Sequence, residues 1–245
     1  MSVPGIRAEA IPDFADFGIT AFTTTRAAGS FSMAGRDPVG EVVARWTALR
    51  ASFRDGVPRL ASAAQVHGDR VLEHKDGWEG WLRGDAADGH IARAPGIAMA
   101  VSVADCVPVF IAHSSGVAAL LHAGWRGTAA GILDRALDRL EGGGIRPAEL
   151  RMHLGPAICG RCYEVSSEVL EKLTGECAKE PSTVDLRALL AARARERGVT
   201  RSTVSRWCTR CDNDRFFSHR AGDEGRQLGV LVVPSRLVPL NLDSP

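Results

Sequence analysis

The stretch Gly96–His122, GIAMAVSVADCVPVFIAHSSGVAALLH, constrains this chain most. It contains two strongly apolar segments, Gly96–His113 and Gly116–His122, separated only by Ser114 and Ser115. Runs this continuous lack the alternation of a half-exposed strand, so they read as adjacent strands buried on both faces. Such strands need further layers on either side, and 245 residues are enough to build them. The second segment stops at His122, and Gly124, Trp125, Arg126 and Gly127 stand between it and a helical pattern. A polar side chain closing a buried strand calls for a partner or a task.

The surrounding sequence supplies those layers. GITAFTTTRAA reads as an early strand, and SAAQVHGDRVLEH as a strand region broken at Gly68. GEVVARWTALRASF has apolar residues at helical spacing. GTAAGILDRALDRLEGGG predicts a helix on Ile132, Leu133, Ala136, Leu137 and Leu140, beginning at about Thr128. LRMHLGPAICGRCYEV is a strand running into a loop, and SSEVLEKLTG a helix. DLRALLAARARERGV gives the best amphipathic helix, ended by Gly198. STVSRWCT and GRQLGVLVVP complete the set as strands. With no repeat and no clear linker, the expectation is one mixed α/β domain over residues 1–245.

Charge narrows the partners. Thirty basic against twenty-nine acidic side chains give a net +1, which offers no broad field for nucleic acid or an anionic membrane. An anionic ligand must therefore meet a local cluster of cations. No apolar segment approaches the roughly 20 residues needed to span a bilayer. The start MSVPGIRAEAIPDF lacks the order of a secretory signal, so a cytoplasmic location is expected. In that reducing setting the six cysteines point to metal binding or catalysis before disulfides.

His67 in QVHGDRV, Cys106 in VADCVPV and His122 in LLHAGWRG each interrupt or end an apolar run. Two imidazoles and a thiolate with a fourth position left open make the donor set of a catalytic zinc centre. Their spacings of 39 and 16 residues are too wide for a local finger, so only a folded sheet could gather them. Two other readings stand beside this one: a Cys nucleophile with a His base, or a small buried thiol with satisfied strand-end histidines. Asp105 would face the opposite side if its strand is regular.

Beyond His122, Gly124 and Gly127 permit close backbone approach, and Arg126 offers a guanidinium suited to phosphate or carboxylate; a salt-bridged arginine in a plain strand-to-helix turn reads equally well. Two C-x-x-C pairs, Cys159/Cys162 and Cys208/Cys211, form the strongest formal zinc pattern. Their 46-residue separation exceeds that of a compact ribbon, which leaves four reduced thiols as the alternative to a second zinc. In DRFFSHR, Phe216 and Phe217 could be core or a flat slot for a base, and Arg220 could meet an oxyanion.

Taken together, FTTTR, QVHGDRV, DAADGHI, VSVADCVPV, LLHAGWRG, LGPAICGRCYEV, the Cys208-Thr209 pair, FFSHR and GRQ resemble the YfiH-like, laccase-domain purine nucleoside phosphorylases, long labelled multicopper polyphenol oxidoreductases. The resemblance runs from about residue 18 to 233. It implies two mixed β-sheets packed together and flanked by helices, in α/β/β/α layers. It implies that His67, Cys106 and His122 ligate one zinc and carry the catalysis. The implied reactions are phosphorolysis of adenosine, inosine, guanosine and S-methyl-5′-thioadenosine, with adenosine deamination in the same site. Arg126 and Arg220 are then the expected contacts to phosphate or substrate, and a monomer is expected.

Two departures from the family pattern stand out. The segment after Arg26, RAAGSFSMAGRDPVGEVVARW, lacks the family's asparagine, which bears on substrate range, and Cys211 is no family hallmark. The older label implies a copper-dependent phenol oxidase. The seven histidines, at 67, 74, 90, 113, 122, 153 and 219, are scattered with no His-x-His pair and favour zinc over several coppers. A non-catalytic protein sensing a metabolite or cell-wall precursor in the same cavity is the remaining alternative.

Overall fold

A computed structural model describes residues 6–53, 56–177 and 179–235. In chain order the strands are β1 (Ala8–Ile11), β2 (Thr20–Thr24), β3 (Arg59–Ala63), β4 (Val71–His74), β5 (Gly80–Gly84), β6 (Gly89–Ala92), β7 (Ile97–Val103), β8 (Val107–Ala112), β9 (Ala118–Ala123), β10 (Arg151–Leu154), β11 (Glu164–Val165), β12 (Ser182–Thr183), β13 (Arg201–Val204) and β14 (Gln227–Val233). The helices are α1 (Val39–Ser52), α2 (Trp125–Ala129), α3 (Ile132–Gly142), α4 (Ser167–Thr174) and α5 (Leu186–Glu196). One sheet has the order β1-β2-β14-β7-β3-β5 and the other β13-β10-β8-β9-β6-β4. Both are mixed: β7, β3 and β5 run parallel, as do β4 with β6 and β10 with β13, while the other pairs are antiparallel.

Side-chain alternation builds the layers. On β7, Ile97, Met99, Val101 and Val103 face Phe110, Ala112, Ala118 and Leu120 of the second sheet, while Ala98 and Ala100 pack beneath Val42, Trp46 and Leu49 of α1. On β8 and β9 the other set, Val107, Val109, Ile111, Ala119 and Leu121, meets Leu133, Leu137 and Leu140 of α3 and Leu190 of α5. The apolar runs are therefore continuous because each strand is covered twice. The order is helix, sheet, sheet, helix, as the family resemblance implies. Each fully buried leucine in these layers contributes about 1.5–3 kcal/mol.

Three local expectations change. The segment Gly96–His113 is two strands in different sheets: β7 ends at Val103, and the chain crosses at Ala104-Asp105-Cys106 to begin β8, with Asp105 at φ 82°. The helix expected from about Thr128 starts earlier, at Trp125, and breaks at Gly131 (φ 82°) into α2 and α3. The cleaner apolar stripe belongs to α3, since α5 buries Arg187, whose guanidinium donates to the carbonyls of Ser205 and Trp207. No described helix is long and apolar enough to cross a membrane.

Candidate active site

Two connections and one strand end converge at one end of the sheets. The β3–β4 connection carries His67, the crossing from β7 to β8 carries Cys106, and the end of β9 carries His122. One ligand atom from each lies within 4.8 Å of the others. The His67 and His122 rings meet edge-on with centroids 4.8 Å apart.

Asp88, fully buried just before β6, organises this cluster. Its carboxylate accepts the N–H groups of Val66, His67 and Gly68 at 3.1, 2.9 and 2.8 Å, which holds His67 in a left-handed conformation at φ 61°. The same carboxylate lies 2.8 Å from His122 Nδ1, leaving Nε2 for the cluster. A carboxylate behind an imidazole fixes its tautomer and raises its basicity, the outer-shell arrangement of histidine metal sites. Burial works to raise the Asp88 carboxyl, but the His122 bond and the backbone donors outweigh it and hold it low.

Packing at the cluster leaves no room for a side chain at Gly124. A Cβ there would lie 2.9 Å from Cys106 Sγ and 3.2 Å from His67 Cδ2. At Gly127 it would lie 2.8 Å from the Gly68 carbonyl oxygen, so both glycines of AGWRG serve close approach. Burial would raise the Cys106 thiol, yet the charge of His122 and hydrogen bonds from both histidines bring it down to about 6. Burial would lower His122, but the Cys106 charge and Asp88 lift it to about 9. Together the two histidines and Asp88 favour the thiolate, the form that binds metal or attacks as a nucleophile. One thiolate and two neutral-capable imidazoles around a common point fit zinc, with a side left open to the cavity.

The cavity measures about 1040 Å³. His67, Cys106, His122, Arg126 and Arg220 all line it, so the structure brings the five sequence-selected positions into one space. The Arg126 guanidinium lies over the Trp125 ring at 4.3 Å and that of Arg220 over the Tyr163 ring at 5.0 Å, so both are oriented by aromatic faces. Gln65 pins the far wall: its amide accepts from Ser102 N–H and Oγ and donates to the Ser102 carbonyl. The departing segment after Arg26 lies on the cavity through Phe31–Arg36.

One acid escapes a sequence reading, and another faces a different way from the one a regular strand predicts. Asp88 sits in GDAADGH, a stretch dense in turn formers, and nothing local marks it as buried. Asp105 does not face away on a regular strand. Its positive φ turns it into the wall, where Oδ1 accepts the Thr209 hydroxyl at 2.6 Å and Oδ2 the Arg220 N–H at 2.7 Å. Phe216 is core, and Phe217 lies under Arg26, so neither forms a slot in the cavity. The four remaining pattern cysteines gather separately.

The chain compares closely with known proteins along most of its length. It is 35% identical over 223 residues to a purine nucleoside phosphorylase of Mycobacterium tuberculosis, covering 83% of this chain and 88% of that one. It is 33% identical over 150 residues to the adenosine deaminase RL5 of an unknown prokaryotic organism, covering 56% of this chain and 57% of the other. The fold superposes on the YfiH protein of Bacillus licheniformis with a TM-score of 0.84 at 24% identity, covering 95% of this chain and 98% of that one. The model of the family described as multi-copper polyphenol oxidoreductase laccase matches residues 23–234. With that span containing every residue of the cluster and its cavity wall, the chain belongs to this laccase-like, YfiH family.

Proposed function

We propose that this chain is a zinc-dependent purine nucleoside phosphorylase, acting on adenosine, inosine, guanosine and S-methyl-5′-thioadenosine, with adenosine deamination in the same site. The observation that carries the reading is a three-donor cluster at the wall of a cavity about 1040 Å³ in volume that also holds Arg126 and Arg220. That volume lies at the upper end of small-molecule sites, so nucleoside and phosphate fit together. The M. tuberculosis relative named for purine nucleoside phosphorolysis and the relative named for adenosine deamination support both activities.

His67, Cys106 and His122 are the residues that would hold the ion. Zinc so bound supplies Lewis acidity, polarising a reacting oxygen and making water acidic near neutral pH. In phosphorolysis an oxygen of phosphate bonds to the ribose anomeric carbon while the glycosidic bond breaks. Its electron pair passes to the purine, which takes up a proton and leaves as free base. Arg126 and Arg220 hold the phosphate or substrate oxyanion, and their aromatic supports reduce the entropy lost on binding. Asp88 keeps His122 and the His67 loop aimed at the cluster. The family's copper label is less well matched: His74 and His90 pair with each other at 2.9 Å in the buried interior and do not join the cluster.

The test is mass-spectrometric detection of base released from the four nucleosides, with and without phosphate, beside oxygen uptake with phenols. Phosphate-dependent release, abolished in His67→Ala and Cys106→Ala, is expected. Full turnover in both variants, or oxygen uptake in place of base release, overturns the proposal.

A further inference from the structure

The two C-x-x-C pairs converge although 46 residues separate them. Strands β10 and β13 run parallel in register from Arg151↔Arg201 to Leu154↔Val204, and the pairing continues as a bridge between Ala157 and Cys208. The loops leaving the two strands therefore travel side by side. The Thr209 N–H donates to the Ala157 carbonyl at 3.1 Å, which locks them together. Each pair reads Cys-x-Arg-Cys, and the sequence offset is 49 residues both for Cys159 with Cys208 and for Cys162 with Cys211.

The four sulfurs lie within 4.8 Å of one another. Four thiolates around zinc at about 2.3 Å each would stand roughly 3.8 Å apart, so the cluster needs only small side-chain adjustments. The Sγ atoms of Cys162 and Cys211 are 3.4 Å apart, well beyond the ~2.05 Å of a disulfide bond. Cys208 Sγ, in a buried residue, accepts the N–H groups of Cys159 at 3.3 Å and Cys211 at 3.4 Å. Arg210, within the second pair, donates to the Cys162 carbonyl at 3.1 Å and so sets a guanidinium beside the first pair.

We propose that Cys159, Cys162, Cys208 and Cys211 bind a second Zn²⁺, a structural ion that clamps these two loops behind the candidate active site. Each clamped loop reaches the cavity wall. Tyr163, next to Cys162, supports the Arg220 guanidinium. Thr209, between Cys208 and Cys211, holds Asp105, and the Ile158 N–H donates to the Asp105 carbonyl at 3.1 Å. The ion thus secures the wall that carries Asp105, Tyr163 and Arg220 and touches no reacting atom.

Elemental analysis of the whole chain, with cobalt substitution read by absorption spectroscopy, tests this site separately from the cavity cluster. Cys106→Ala is expected to retain about one zinc per chain and, with Co²⁺, the intense thiolate-to-metal charge-transfer bands of a four-sulfur centre. Cys211→Ser, at an exposed position, and Cys162→Ser/Cys211→Ser are expected to lose those bands and one equivalent of metal while circular dichroism stays native. A Cys106→Ala protein without metal overturns the proposal. So does denatured, non-reduced wild-type protein whose mass shows the loss of hydrogens on disulfide formation among these four cysteines.

Discussion

The cavity cluster and the four-cysteine cluster lie at the same end of the second sheet, yet they are built oppositely. Cys106 enters at the start of β8 and His122 leaves near the end of β9, while the paired cysteines follow the ends of β10 and β13. The first cluster draws one donor from each of two connections and one strand end and leaves one side facing a large cavity. The second draws two donors from each of two adjacent turns, and none of its sulfur-bearing residues lines that cavity. Three donors and open space suit exchange of a reacting ligand, whereas four donors close the coordination sphere. Sulfur alone does not distinguish a reactive centre from a rivet; the number of donors and the space beside them do.

The sharpest way to break the comparison is Cys106→Ala. It is expected to reduce base release by more than about 100-fold, the upper end of what loss of an outer partner costs a metal site. Thermal stability should change little, and a variant with unimpaired turnover would leave the two clusters functionally alike. Asp88→Asn comes next. It keeps the shape but removes the charge behind His122, and metal affinity at the cavity cluster should fall about 10–100-fold, measured by competition with a chelator, with the four-cysteine site unaffected. Gly124→Ala sharpens the geometry. Its backbone φ of −81° accommodates alanine, so the cost arises from the Cβ pressed against Cys106 Sγ. Overpacking there should weaken metal binding by about 1 kcal/mol, read in the same titration, and unchanged affinity would mean that Cys106 and His67 yield to the added methyl without cost.

A separate effect, on stability rather than on the site, concerns His74 and His90, a histidine pair outside the cavity lining. Burial pushes His74 down to about 4 and His90 to about 3, below the ordinary 6.5. The unfolded chain therefore binds more protons between those values, and folding stability falls as pH drops from 6.5 toward 4. Denaturant unfolding at pH 7 and pH 5 should differ by about 4 kcal/mol, roughly halved in His90→Leu; equal stability at both values would contradict a neutral buried pair.

Much of this was legible before the fold. The doubly covered strands showed in their uninterrupted apolar runs, α1 and α3 in their spacing, and His67, Cys106 and His122 in the way each broke such a run. The crossing between sheets was not legible, because ADC is too short to punctuate a run and depends on Asp105 adopting a positive φ. The break at Gly131 was hidden because a single glycine is tolerated within a helical pattern. Asp88 was invisible for a different reason: its role arises from contacts across 20 to 34 residues of chain, while its own neighbourhood has the composition of an ordinary turn.

The most direct measurement of the central claim is the joint yield of hypoxanthine and ribose 1-phosphate from inosine in the presence of phosphate, followed by mass spectrometry on zinc-loaded protein. Equal yields of the two products, vanishing without phosphate and in Cys106→Ala, are the predicted result. Hypoxanthine with free ribose, or no release of base from a protein that carries its zinc, would contradict it.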